Sequence, residues 1–181
     1  MIRCVVFWNE EDQEKLLSWW TKLKENHGWR AELRRTEKPE DVLLTKGFRS
    51  LYYELAGTYW IRENNLLGLA AVAGVLSHVE GNNTTHSFAE SCAIPEKDKP
   101  AVSEMRFSQI QKSRTLDELF TRMRRAIKLL SKKANVISVT DSILHWYTEM
   151  VKHKVEEEPR NRINVRWGLE YFQNLPRTEV K

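Results

Sequence analysis

Through most of this chain, apolar residues recur every three or four positions, the spacing of one buried helical face. Leu16, Trp20 and Leu23 follow Asn9-Glu10-Glu11-Asp12, a capping side chain with acids suited to the positive end of a helix dipole. That pattern predicts a helix to about Asn26, with Gly28 as its stop. Pro39-Glu40-Asp41 opens a second helix, because proline is tolerated in a first turn. It carries Val42, Leu43, Phe48, Leu51, Tyr52 and Leu55 and ends near Gly57. A third, starting at Asn64 or Asn65, reads LLGLAAVAGVL, apolar nearly all round and therefore central. Its glycines, Gly68 and Gly74, cost helix stability and fit a place where another helix packs closely.

The period breaks over Glu80–Ala101, where GNNTTHS and PEKDKP predict a long exposed loop. This divides an N-terminal helical half, 1–80, from a C-terminal half, 102–181. A fourth helix is predicted over Val102–Ser113. Thr115-Leu116-Asp117-Glu118 has the form of a capping box and starts a fifth. On that helix Leu119, Met123, Ala126 and Leu130 share one face, with Arg125, Lys128 and Lys132 opposite. A sixth runs from about Val139 to Glu157, striped by Ile143, Trp146 and Met150. Pro159 starts a seventh, carrying Arg162, Arg166, Trp167 and Tyr171. Met1–Trp8 is apolar and β-branched, a short strand or an arm. The expectation is an all-α protein of two packed helical-bundle halves, with about seven helices.

Composition narrows the class. Of the 181 residues 41% are hydrophobic, enough for a packed core, and the many aromatics argue against disorder. Cys4 and Cys92 give neither a disulfide framework nor a metal spacing, so a reducing, cytoplasmic setting is expected. No apolar run approaches the ~20 residues of a membrane span, and no membrane partner is expected. MIRCVVFW is too short for a signal peptide's apolar core plus cleavage site.

The formal net charge of +4 is mild, so the argument rests on where the charge sits. Over Val102–Lys133 the bases Arg106, Lys112, Arg114, Arg122, Arg124, Arg125, Lys128, Lys132 and Lys133 face only Glu104, Asp117 and Glu118. A charge run is ordinarily a solvated helix face. Here acids are not interspersed to form stabilising pairs three or four residues away, and arginine, whose planar fork suits phosphate oxygens, predominates. One-signed charge on a folded element is a field aimed at a target, most often phosphate. Arg30, Arg34 and Arg35 form a second cluster and Arg160, Arg162 and Arg166 a third; the three line one groove if the halves pack side by side. Trp20, Trp146 and Trp167 sit on apolar stripes and read as core, which leaves Trp60 beside Arg62 as the pair open to base stacking.

Enzymatic chemistry finds little support. His27, His78, His86, His145 and His153 are scattered, with no ligand spacing. Neither a glycine-rich phosphate loop nor a nucleophile elbow occurs. Glu156-Glu157-Glu158 beside Pro159 reads as a solvated junction. No catalytic residue, metal or cofactor is expected.

The order of segments resembles the small subunit of the type I-E CRISPR surveillance complex, Cascade (the CasB family), from near Trp19 to Tyr171. Arg30-Ala31-Glu32-Leu33-Arg34-Arg35 leading into Lys38-Pro39-Glu40-Asp41-Val42 is like the family's basic doublet before a proline-started helix. Val102-Ser103-Glu104-Met105-Arg106-Phe107 leads to Arg114, Asp117-Glu118-Leu119-Phe120 and Arg122-Met123-Arg124-Arg125, the most distinctive part. Trp146, then Arg166-Trp167 with Tyr171-Phe172, resembles the terminal element. MIRCVVFW falls outside the pattern. The resemblance implies a non-catalytic, all-α subunit that stacks with a second copy of itself beside the backbone filament and large subunit. There it would hold the guide RNA–target DNA heteroduplex and give the displaced strand a basic path. The residues taken as phosphate contacts are Arg34, Arg35, Arg106, Lys112, Arg114, Arg122, Arg125, Lys128, Lys132, Arg162 and Arg166, with Arg124 the alternative candidate for a neighbouring-subunit contact. Two other classes stay open: a free-standing single-strand or RNA-binding helical protein, and a structural adaptor whose basic faces dock acidic protein surfaces.

Overall fold

A computed structural model describes residues 2–176. Helices α1 (Glu10–Glu25), α2 (His27–Arg35), α3 (Pro39–Val42), α4 (Lys46–Glu54), α5 (Tyr59–Arg62) and α6 (Leu66–Leu76) come first. Then follow α7 (Phe88–Ala93), α8 (Glu104–Gln111), α9 (Leu116–Leu129), α10 (Val136–Met150) and, after a 3-10 turn at Pro159–Asn161, α11 (Ile163–Gln173). Two-residue strands add little: β1 (Gly81–Asn82) pairs in parallel with β4 (Lys133–Ala134), and β2 (Pro95–Glu96) pairs antiparallel with β3 (Lys99–Pro100). The fold is all-α, as the apolar period predicts.

Capping side chains decide where the helices divide. Asn9 accepts from the Asp12 N–H at 3.0 Å and starts α1 as expected. The stop is Asn26 rather than Gly28. Its N–H closes on Lys22 and Leu23, while its side chain accepts from the Trp29 N–H at 3.0 Å and starts α2 at once. Gly28 therefore lies inside a helix that the spacing did not reveal. The predicted second helix is broken the same way: Thr45 accepts from the Phe48 N–H at 3.2 Å and restarts the chain as α4.

Helix α6 is the central post, and nearly all its residues are buried. A Cβ on Gly68 would lie 3.0 Å from the Tyr147 ring of α10, and one on Gly74 2.6 Å from Cζ of Phe120 in α9. Both glycines thus mark the close helix approaches expected of them. Since α3, α9 and α10 all pack on α6, the two sequence halves share one core.

The segment 80–101 is not a simple exposed linker. Ser87 and Glu90 form a reciprocal capping box (Ser87 N–H to Glu90 Oε2, 2.8 Å; Glu90 N–H to Ser87 Oγ, 3.2 Å) that starts α7. Phe88, Ala89, Cys92 and Ala93 are buried, and α7 packs against α11. The stretch from Pro95 to Lys99 is exposed, as PEKDKP suggested.

The N-terminal arm is pinned rather than paired as a strand. The backbone N–H groups of Val5, Val6 and Phe7 all donate to Oδ1 of Asp141, at 3.0, 2.9 and 2.8 Å. Phe7 is buried with its ring 5.8 Å from that of Trp60. Met1 lies outside the described residues.

Candidate nucleic-acid interface

Helices α8 and α9 form a V whose turn is held by short polar contacts. Ser103 caps α8, and the Thr115 hydroxyl accepts from the Glu118 N–H at 3.2 Å to start α9. Glu118 does not close the expected reciprocal box. Its carboxylate instead accepts the Arg114 N–H at 2.9 Å and an Arg122 N–H at 3.4 Å. The same Arg122 nitrogen donates to the carbonyl of Gln109 at 2.7 Å and the hydroxyl of Ser113 at 3.1 Å, joining the end of α8 to the second turn of α9.

Between the arms lies a groove of about 600 Å³, lined by Arg106, Gln109, Arg122, Arg125 and Lys128, with Val102, Ile110, Ala126 and Leu129 as its apolar part. Four predicted contacts thus meet in one place, and no acid lines the groove. Arg106, Arg125 and Lys128 are exposed. Arg122 is held with its guanidinium set by three acceptors. Leu119, Met123, Ala126 and Leu130 are buried, as the stripe predicts, with Ala126 also at the floor of the groove. Sequence reasoning missed Gln109 and the apolar floor, whose positions become visible only when two helices are paired.

The other predicted residues are placed differently. Lys112 and Arg114 are exposed in the turn between α8 and α9. Lys132 lies beyond the end of α9, with φ of +60°, and its ammonium contacts Glu80 at 3.1 Å. Arg34 donates to the Ser77 carbonyl at 2.7 Å and to the same Glu80 at 3.2 Å. Hydrogen bonding from Lys132 and Arg34 holds the Glu80 carboxyl below its usual pKa. Arg35 is exposed, and Arg162 is exposed with its Nε on the Glu156 carbonyl at 3.1 Å; neither lines the groove.

Arg166 leaves the predicted set. It is 8% exposed and pairs with the buried Asp141 at 2.6 Å. The expectation that it shares a wet face with Arg162 fails because Ile163, Arg166, Trp167 and Tyr171 all lie on the buried side of α11. Arg124 is likewise an internal strut. It donates to the carbonyls of Thr36 at 2.6 Å and Arg34 at 2.5 Å and to Nε2 of His78 at 2.9 Å, with its guanidinium over the Phe120 ring. Burial and the surrounding cations, Arg124 first, push the His78 pKa down to about 3, so the imidazole is a neutral acceptor. Trp60 is 4% exposed and packed against Phe7 and Tyr59, which removes it as a stacking surface.

Burial raises the Cys92 thiol pKa and pushes that of Cys4 up to about 12, so neither is a ready thiolate. Among the described residues no group of three or more His, Cys, Asp or Glu side chains could hold a metal, and no helix is long and apolar enough to cross a membrane.

A family model for CRISPR-associated protein Cse2 matches residues 29–172, most of the chain. The chain belongs to the Cse2 family. The resemblance to the Cascade small subunit carried by its motifs is thereby borne out. Two crystal structures agree in fold. One is CasB from Thermus thermophilus, with a TM-score of 0.60 and 19% identity, covering 88% of this chain and 97% of that one. The other, a CRISPR-associated protein of the Cse2 family and also from Thermus thermophilus, has a TM-score of 0.59 at 19% identity, with the same coverage. A comparison with curated proteins finds no match. The matched span of this Cse2-family chain includes the whole α8–α9 groove and leaves the arm pinned by Asp141 outside it.

Proposed function

We propose that this Cse2-family chain is a non-catalytic subunit of a type I-E Cascade complex that holds nucleic-acid backbone through the α8–α9 groove. The observation that carries the reading is four cations lining one groove with no acid among them. Such a surface binds phosphates without reading bases, which suits a subunit that must serve every guide. Exchange of a DNA duplex for a guide RNA–DNA heteroduplex is nearly balanced in energy, so modest backbone contacts shift it. The ligands in this reading are the guide RNA with its target strand and the displaced DNA strand. The protein partners are the backbone filament, the large subunit and a second copy of the chain. Arg106, Arg122, Arg125 and Lys128 form the contact, Lys112 and Arg114 extend it at the turn, and Arg35 and Arg162 are peripheral. Arg34 and Lys132, both on Glu80, lend weaker fields.

The test is an assembled complex carrying Arg106→Ala, Arg125→Ala and Lys128→Ala together. All three residues are exposed, so the fold should be unaffected. The expected result is faster dissociation of the opened target, equal for every target sequence. For single strands, the salt dependence should flatten by about 0.7 in slope for each phosphate the variant no longer neutralises. Unchanged target retention and salt slope in the triple variant would refute the reading. An adaptor role predicts that association with protein partners is lost while strand binding stays.

A further inference from the structure

A second hollow lies on the N-terminal half of the molecule, beside α2, the helix that also carries Arg30, Arg34 and Arg35. It has a volume of about 450 Å³ and is lined by Trp29, Lys46, Arg49, Ser50, Tyr53 and Glu54. Its shape follows from a close helix crossing. A Cβ on Gly47 would fall 2.7 Å from Leu33 Cδ1 and 3.6 Å from Trp29 Cβ, so α4 lies almost directly on α2. That contact sets Lys46, Arg49, Ser50 and Tyr53, spaced three, one and three apart on one face of α4, around a hollow that Trp29 also lines. Trp29 is only half-buried, and it also lines an adjoining hollow of about 500 Å³ with Lys22, Glu25, Asn26 and His27. Tyr53 is 69% exposed.

Aromatic side chains with solvent-accessible surface beside two cations that form no ion pair among the described residues are the unusual part. Among the described residues Trp29 is in no aromatic pair, and Tyr53 meets only Tyr52, edge-on at 6.2 Å. Lys46 and Arg49 are exposed and form no ion pair within the described residues. Of the nearby acids, Glu25 is exposed in the adjoining hollow, whereas Glu54 and Glu32 have partners. Glu54 holds Lys22 at 2.7 Å, and Glu32 accepts the backbone N–H of Lys46 at 3.0 Å. The lining itself, with Lys46 and Arg49 against Glu54, carries a net positive charge beside two aromatic side chains.

We infer that this hollow is a base-stacking site for single-stranded nucleic acid, with Trp29 and Tyr53 taking an unpaired base and Lys46 and Arg49 taking the adjoining phosphates. Every base has a π-face and every nucleotide a phosphate, so the site tolerates any sequence. It excludes a duplex, whose bases are already stacked. The phosphate groove of α8 and α9 makes no such distinction. The inference shares its ligand class with the proposed function but stands on separate residues, so either can fail alone.

The test uses the full chain and two labelled strands of equal length and charge: an oligothymidylate of about 15 nucleotides and its abasic counterpart. The unmodified protein should bind the base-bearing strand roughly five-fold or more tighter, the least effect of one stacked base. Tyr53→Ala and Trp29→Ala should each narrow that ratio and leave abasic affinity in place. Tyr53 is exposed, so its variant folds even if the Trp29 change does not. Alanine at Arg106, Arg125 and Lys128 should weaken both strands and keep the ratio. Equal binding of the two strands by the unmodified protein overturns the inference, as does a ratio that survives both aromatic changes. An acidic peptide of matched charge that competes as well as oligothymidylate also overturns it, in favour of a protein partner.

Discussion

Replacing Asp141 with alanine should be among the most damaging single changes in this chain. Its carboxylate is fully buried and serves four donors at once: three consecutive backbone N–H groups of the arm at 2.8–3.0 Å and the Arg166 guanidinium at 2.6 Å. Removing one partner of a buried ion pair leaves the other charge uncompensated, at about 3–5 kcal/mol. The three freed N–H groups push the loss toward the upper end. Domain stabilities are about 5–15 kcal/mol, so Asp141→Ala should unfold at much lower urea, with an unchanged denaturant slope, when followed by circular dichroism. Arg166→Met should cost less, about 1.5–3 kcal/mol for a hydrogen bond to a charged group, because Asp141 keeps its three backbone donors. The double change should cost less than the sum of the two. The Arg166→Met protein that remains folded should bind nucleic acid like the unmodified chain. A loss below about 1 kcal/mol for Asp141→Ala, or a folded Arg166→Met protein with weakened strand binding, would refute the assignment of Arg166 to the core.

Two further outcomes are expected. Arg124→Met strands the carbonyls of Arg34 and Thr36 and should lower stability by about 2–3 kcal/mol in urea unfolding, and an unchanged midpoint would show that water replaces the strut without loss. His78 is neutral in the fold, with its pKa moved from 6.5 to about 3. Between those values the unfolded chain binds a proton that the folded chain refuses, so its contribution falls as pH drops through that window. His78→Gln keeps an acceptor for Arg124 and should flatten this part of the stability–pH curve; identical curves for the two proteins would exclude His78 as the source.

Helix identity was legible wherever a cap and a stripe coincided. Asn9 before Leu16, Trp20 and Leu23, and Thr115 before Leu119 and Met123, placed α1 and the α9 face correctly. The misses share a cause: local signals too short for a period. Helix α7 is six residues long, and its capping box at Ser87 and Glu90 was hidden in a polar stretch. The break at Thr45 looked like continuous helix because the apolar spacing runs on across it. In the candidate site, one-signed charge singled out Arg106, Arg122, Arg125 and Lys128, which the fold brings to one groove. It could not tell a wet arginine from a structural one. A usable signal existed for Arg166, which shares the stripe of Ile163, Trp167 and Tyr171. None existed for Arg124, whose carbonyl acceptors lie about ninety residues away in the chain, or for the Trp29 hollow, which needs Gly47 to bring two helices together.

The Arg124 strut has a mechanical meaning. From the middle of α9 it grips the carbonyls of Arg34 and Thr36 at the end of α2; Trp29 lies on α2, while α9 carries Arg125 and Lys128. This guanidinium, together with the packing of α2 and α9 on α6, holds the spacing between the two proposed strand-binding faces. Once a strand is seated on one face, it meets the other as a tethered rather than a free ligand, at an effective concentration set by the length of strand between them. A span that matches this fixed gap gains avidity, and one that is too short gains none. If both proposed sites take the same strand, the rigid helix packing that Arg124 reinforces would set the length of strand that bridges them.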